Sequence, residues 1–244
     1  MVPGAFRFDD EAVRKQGSRI SRMFDRIAPT YDLLNHLLSA NIDAAWRRTT
    51  VRRLALLGSE RCLDACTGTG DLALALLRGG AREVVGSDFA PQMVVRAEAK
   101  ARAAGFDARF LVADTTRLPF KDGEFDVATV GFGVRNLEDL DGGLRDLCRV
   151  LRPGGRLAIL EFSRPTNPLF RAIYHLYFLL VLPLVGNLIS GGAENAYAYL
   201  PRSVLAFPSP EALAVRLRAA GFASVDYAPL TMGIAHLHVA TKAG

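Results

Sequence analysis

A chain of 244 residues, half hydrophobic and 23% charged, is long enough to bury the core of one α/β domain and too apolar to be disordered throughout. Its net charge of +5, carried mostly by arginine, suits nucleic acid, an anionic membrane surface or a plain preference for arginine; the lack of interleaved aromatics disfavours nucleic acid. Three isolated cysteines (Cys62, Cys66, Cys148) exclude a disulfide or zinc framework, and Met1–Asp10 has no apolar core of a secretory signal, so a reduced, cytoplasmic setting is expected.

Arg14 to Leu38 reads as helical. Ile20, Met23, Phe24 and Ile27 share one side and Arg19, Arg22 and Arg26 the other. Ala28-Pro29 breaks it, because the residue before proline avoids the helical region. Ala44–Leu57 predicts a second helix containing Trp46. From Arg61 the pattern alternates. Strands are expected at 61–65, 83–87, 108–112, 125–130 and 156–162, with helices over 72–78, 91–104 and 140–151. The last helix closes on Arg152-Pro153-Gly154-Gly155. Short connections between alternating elements predict a parallel, doubly wound sheet. Residues 163–208 interrupt the alternation, and Tyr174–Ile189 inside them is almost continuously apolar. A helix over 210–220 and two strands, 224–229 and 234–241, end the chain; so short a link predicts an antiparallel pair.

Asp64-Ala65-Cys66-Thr67-Gly68-Thr69-Gly70-Asp71 sits between the first of these strands and its helix. Gly68 and Gly70 allow positive φ and close approach of a ligand, and the helix N-terminus adds free N–H groups. Asp88 ends the next strand at about the 20-residue offset where a carboxylate accepts ribose hydroxyls. Gly68, Gly70 and Ala73 also satisfy the dinucleotide pattern, so a nicotinamide-dependent dehydrogenase is a rival. The negative charge of Asp64 and Asp71 favours a cationic cofactor, S-adenosylmethionine, over a pyrophosphate. The closing strand pair is a frequent ending of methyltransferase domains. Asp114-Thr115 is equally readable as an adenine contact and as a cap for the following turn. Tyr31 is either a packing residue or an aromatic face for the cofactor's cation. His175, His236 and His238 read as packing or hydrogen-bonded residues, and no metal is expected.

Several segments together resemble the bacterial and mitochondrial quinol C-methyltransferases of menaquinone and ubiquinone biosynthesis. These are Phe24-Asp25-Arg26-Ile27-Ala28-Pro29-Thr30-Tyr31-Asp32-Leu33-Leu34-Asn35, the Asp64–Asp71 loop, Phe132-Gly133-Val134-Arg135-Asn136-Leu137, Leu151–Arg156 and Leu160-Glu161-Phe162-Ser163. The resemblance implies a class I S-adenosylmethionine methyltransferase fold: one α/β domain over 1–244 with a mostly parallel, seven-stranded sheet and an antiparallel last strand. Within it, 1–57 forms a helical cover and 163–208 an apolar insert or lid. It implies methylation of a ring carbon of a polyprenylated demethylmenaquinol or of the benzoquinol precursor of ubiquinone. It carries cofactor contacts onto Thr69, Asp88, Asp114 and Thr115. Gly131 stands where members acting in ubiquinone synthesis can have serine, which leans toward menaquinone and leaves only backbone to touch the cofactor.

A quinol carbon becomes nucleophilic when its neighbouring hydroxyl, with a pKa of about 10, ionises. Arg135 is the candidate to stabilise the phenolate, and Asn136 to orient a water or a quinol oxygen. Without the resemblance, Arg135 reads as a structural salt bridge at a strand end. The apolar run 174–189 carries Pro183, which argues against a membrane span. It is a core helix or an apolar lid for a prenyl tail; its place at the carboxyl edge of the sheet favours the lid and peripheral contact with the inner face of the cell membrane. A methyltransferase of a soluble acceptor is the remaining alternative, and it has no use for that surface.

Overall fold

The computed structural model describes residues 20–28, 39, 41–165 and 196–244. Seven strands form one sheet: β1 (Arg61–Ala65), β2 (Glu83–Asp88), β3 (Arg109–Val112), β4 (Phe125–Gly131), β5 (Leu151–Phe162), β6 (Phe222–Leu230) and β7 (Ala235–Lys242). The helices are α1 (20–28), α2 (Ile42–Leu54), α3 (Asp71–Arg78), α4 (Pro91–Ala103), α5 (Leu140–Val150), α6 (Ala196–Ala206) and α7 (Pro210–Ala219), and a 3-10 turn covers Val134–Asn136. The strand order is β3-β2-β1-β4-β5-β7-β6. The first five strands pair in parallel, and β7 is antiparallel to both β5 and β6. This is the expected mostly parallel sheet with its antiparallel ending.

The central strands are apolar on both faces, as a sheet covered by helices on each side requires. Leu63, Ala128, Val130, Leu157 and Ile159 face one core, completed by Leu144 and Leu147 of α5 and Leu213 and Leu217 of α7. Their neighbours Cys62, Val127, Ala158 and Leu160 face the other, completed by Trp46 and Leu54 of α2, Leu74 and Leu76 of α3 and Ala97 of α4. Ile27, Ala28, Met93 and Val204 make a smaller cluster that seats α1 and α6 beside α4.

Two boundaries differ from expectation by three residues or more. β5 starts at Leu151, not Arg156. Phe125 and Leu151, both fully buried, pair at the amino ends of β4 and β5, and pairing resumes at Val127 with Arg156. The Arg-Pro-Gly-Gly run is therefore a bulge within the strand, with Gly154 at φ 72°. α2 spans Ile42–Leu54 instead of 44–57. The buried Glu60 carboxylate takes the N–H groups of Leu57, Gly58 and Ser59, which draws the chain out of the helix after the left-handed Ala55.

Candidate active site

Strand order reverses between β1 and β4, and a cavity of about 320 Å³ lies at the carboxyl ends of the strands there. Of the predicted residues, Gly68, Asp88, Asp114, Thr115, Gly131 and Asn136 line it together. Asp64, Thr69, Gly70 and Arg135 lie outside the lining. Tyr31 and the run 174–189 fall outside the described residues.

The turn after β1 is built on positive φ values at Cys66 (51°), Gly68 (55°) and Gly70 (87°). Gly70 caps α3 in a left-handed conformation, and a Cβ there would sit 3.1 Å from that of Ala97. Asp64 is fully buried under the turn. Its oxygens accept the hydroxyls of Thr67 (2.6 Å) and, across the strand pair, Thr129 (2.7 Å). Burial pushes its carboxyl up to about 6, against the pull of these hydroxyls. Asp64 therefore holds the turn in shape from beneath.

Asp88 is the hinge of the site. One oxygen accepts the Gly68 N–H at 2.8 Å and the other the Ala90 N–H at 2.9 Å. Burial raises its carboxyl to about 6, with the two backbone bonds opposing. Each oxygen keeps lone-pair capacity for a hydroxyl donor on the cavity side. Asp114 serves both of its readings: Oδ1 accepts the Thr116 N–H at 2.8 Å as a turn cap, while the side chain lines the cavity. The Thr115 hydroxyl lies 3.3 Å from Cys66 Sγ.

The charge expected beside the turn is largely matched. Asp71 pairs with Lys100 Nζ at 2.8 Å and Arg47 at 3.5 Å, and Lys100 also reaches the Thr69 hydroxyl at 3.0 Å. Asp64 faces hydroxyls and not the cavity. Repulsion of a pyrophosphate by these two acids is weaker than the bare sequence suggests, because Asp71 is paired from α2 and α4 and Asp64 is held beneath the turn by Thr67 and Thr129.

Arg135 is also placed differently from expectation. Its side chain is 6% exposed and its Nη1 lies 2.6 Å from Oε1 of Glu161, itself 2% exposed. The guanidinium also bonds the Phe132 carbonyl and lies 5.5 Å from the Phe162 ring centre. Glu161 additionally accepts the backbone N–H groups of Arg135 (3.3 Å) and Phe162 (2.9 Å). The pair ties the turn after β4 to the end of β5, which is the strand-end salt bridge reading. The Arg135 guanidinium is thus paired within the protein.

That turn is tightly packed. Phe132 has φ 58°, and a Cβ on Gly133 would meet the Cβ of Cys66 at 2.3 Å, so only glycine fits where the two loops touch. Phe132 and Phe162 pack with their rings tilted by 31° and centres 4.5 Å apart, with Trp46 at 6.0 and 6.2 Å from them.

The structure adds residues that sequence reasoning passed over. Ser21 and Phe24 of α1 line the cavity, Phe24 meets Phe89 edge to face, and Asp25 accepts the Gln92 N–H at the start of α4. Tyr199 of α6 donates to Asn136 Oδ1 at 2.9 Å. Tyr199 lies in the interrupting segment, whose apolar run held all the sequence signal. His238 bonds the Pro210 carbonyl through Nε2 at 3.0 Å and stacks on Tyr227, a packing role. Among the described residues no helix is long and apolar enough to cross a membrane.

A profile described as the ubiE/COQ5 methyltransferase family matches residues 12–242. The demethylmenaquinone methyltransferase of Thermus thermophilus is 52% identical over 90% of this chain and all of its own length. A ubiquinone/menaquinone biosynthesis C-methyltransferase of a Geobacter species is 45% identical over 95% of this chain and 99% of its own. Among solved structures, the [4+2]-cyclase SpnF superposes with a TM-score of 0.69 at 19% identity, covering 92% of this chain and 95% of that one; this likeness concerns the fold alone.

Proposed function

The chain belongs to the ubiE/COQ5 methyltransferase family, and from that premise we propose that it uses S-adenosylmethionine to methylate a ring carbon of a polyprenylated demethylmenaquinol. Family membership sets aside the dehydrogenase that the glycine-rich turn alone admits. The observation that carries the reading is one cavity lined by Asp88, Asp114 and Thr115 from the ends of β2 and β3 and by Asn136 from the turn after β4.

The residues fit the cofactor. The Asp88 carboxylate would accept the ribose hydroxyls with the lone pairs its backbone bonds leave free. Asp114 and Thr115 would hold the adenine, and the backbone of Gly68 and Gly131, also in the cavity wall, would take the remainder. Thr69 and Gly70 support the turn from behind it, through Lys100 and the α3 cap. When bound, S-adenosylmethionine supplies an electrophilic methyl group for an in-line displacement. The chain's own task is to orient the acceptor and stabilise its oxygen as the hydroxyl proton leaves. Asn136 faces the cavity and takes that part. Arg135 serves it at one remove, by fixing the turn on which Asn136 sits.

The whole chain acts as one methyltransferase domain. Residues 1–57 form its cover, supported by Ser21 and Phe24 in the cavity wall. Residues 163–208 form a lid for the prenyl tail, supported by the reach of Tyr199 to Asn136. The apolar run 174–189 is assigned peripheral contact with the inner face of the membrane, and Tyr31 the aromatic face for the cofactor's cation. Gly131 and the activity named for the Thermus relative support the naphthoquinol over the benzoquinol. Incubation with labelled S-adenosylmethionine and each reduced demethylated quinol tests the reading. Label is expected on a ring carbon of demethylmenaquinol; transfer only to a soluble O or N acceptor contradicts it.

A further inference from the structure

An asparagine amide offers a carbonyl oxygen at one corner and an N–H donor pair at the other, and a half-turn about its last bond exchanges them. On a cavity wall these two orientations present opposite chemistry. An acceptor oxygen that gains negative charge as its proton leaves is stabilised by the N–H pair and opposed by the carbonyl. Something must therefore hold Asn136 one way round.

The backbone beneath Asn136 is already fixed. Its N–H bonds the Gly133 carbonyl at 3.0 Å, and the buried Arg135–Glu161 pair holds the preceding residue to β5. Neither contact reaches the amide. Among the described residues the Tyr199 hydroxyl reaches it, donating to Oδ1 at 2.9 Å. α6, which carries Tyr199, is seated by the buried Val204 and by Leu200 in the cluster with Ile27, Ala28 and Met93. The hydroxyl is thus delivered from a packed helix 63 residues along the chain from its partner.

We propose that Tyr199 is a positioning residue: by donating to Oδ1 it turns the Asn136 amide so that Nδ2 faces the cavity and donates to the oxygen of a phenolic acceptor. The inference rests on the quinol reading above. Burial pushes the tyrosine hydroxyl upward from its ordinary range, with Glu161 adding to this and Arg135 opposing, so the group keeps the proton it donates.

Tyr199→Phe removes the hydroxyl and keeps the ring. It is expected to lower kcat about 10- to 100-fold with the Kd for S-adenosylmethionine within about twofold of the wild type. In the double variant with Asn136→Ala, the loss equals that of Asn136→Ala alone, because both changes remove one device. A separate readout needs no acceptor: the ¹⁵N side-chain amide signal of Asn136, followed with S-adenosylmethionine bound, shifts in Tyr199→Phe. A wild-type kcat in Tyr199→Phe, additive losses in the double variant, or an unmoved amide signal overturns the inference. A wild type that methylates no quinol, with the amide signal still responding to Tyr199→Phe, overturns the substrate reading and supports the positioning of the amide.

Discussion

Glu161→Gln leaves the Arg135 guanidinium buried without its counter-charge. The two side chains are 6% and 2% exposed and meet at 2.6 Å, so water replaces neither partner. Breaking a pair this deeply buried costs about 3–5 kcal/mol, a large share of the 5–15 kcal/mol that typically stabilises a domain. Arg135→Met costs less at the remaining carboxylate, because Glu161 keeps the backbone N–H groups of Arg135 and Phe162. The double variant, with neither charge, recovers most of the loss. Urea unfolding of the wild type, both single variants and the double gives the coupling directly. A cost below about 1 kcal/mol for Glu161→Gln, or single losses that simply add, refutes the structural assignment of this pair. Arg135→Ala extends the test to function: cofactor binding holds in the folded fraction and turnover falls as the Asn136 turn loosens. Near-normal turnover removes Arg135 from any part in the reaction.

Other consequences are equally direct. Asp88→Asn keeps the size but replaces one charged acceptor with a donor that faces a backbone N–H; the loss of about 3 kcal/mol predicts a roughly 100-fold weaker Kd for S-adenosylmethionine by calorimetry, and a change under about threefold contradicts the ribose assignment. Gly133→Ala forces a Cβ to within 2.3 Å of that of Cys66 and is expected to cost about 1–3 kcal/mol, with Cys66→Gly restoring the melting temperature; an unchanged melt for Gly133→Ala alone argues against the packing. Burial lowers His238 to about 4, so between pH 6.5 and 4 the unfolded chain binds more protons than the folded one and His238 costs stability as pH falls. Asp64 and Asp88, raised to about 6, act oppositely and favour the folded state as pH falls through the same range. His238→Gln isolates the first effect: its stability relative to the wild type should rise by about 3 kcal/mol from pH 7 to pH 4, and a pH-independent difference contradicts it.

The sheet was legible because its signals are local. Runs such as Cys62-Leu63 and Val84-Val85 carry β-forming residues, and Gly70 and Pro91 further on open the helices that follow without help from elsewhere. The start of β5 was hidden for the same reason. Pro153-Gly154-Gly155 has the local chemistry of a turn, and only the pairing of Leu151 with Phe125 makes it a bulge. At the site, Asp88 and Asp114 could be read from position at strand ends, and Asn136 from the resemblance of its segment to the quinol methyltransferases. Charge balance could not. Glu161 stands 26 residues beyond Arg135, and Arg47 and Lys100 reach Asp71 from two other helices, so the sequence displays each charge without its partner. Tyr199 was lost among apolar neighbours whose hydropathy drew attention to a membrane and not to one hydroxyl.

The central claim is carbon methylation of a quinol in the cavity between Asp88 and Asn136. Its most direct test is the product formed from S-adenosylmethionine and reduced demethylmenaquinol, with the methyl position located by NMR. The account predicts a new ring-carbon methyl with the wild type, greatly reduced with Asp88→Asn and Asn136→Ala. A protein that binds S-adenosylmethionine but leaves the reduced quinol unmethylated, or methylates its oxygen, contradicts it.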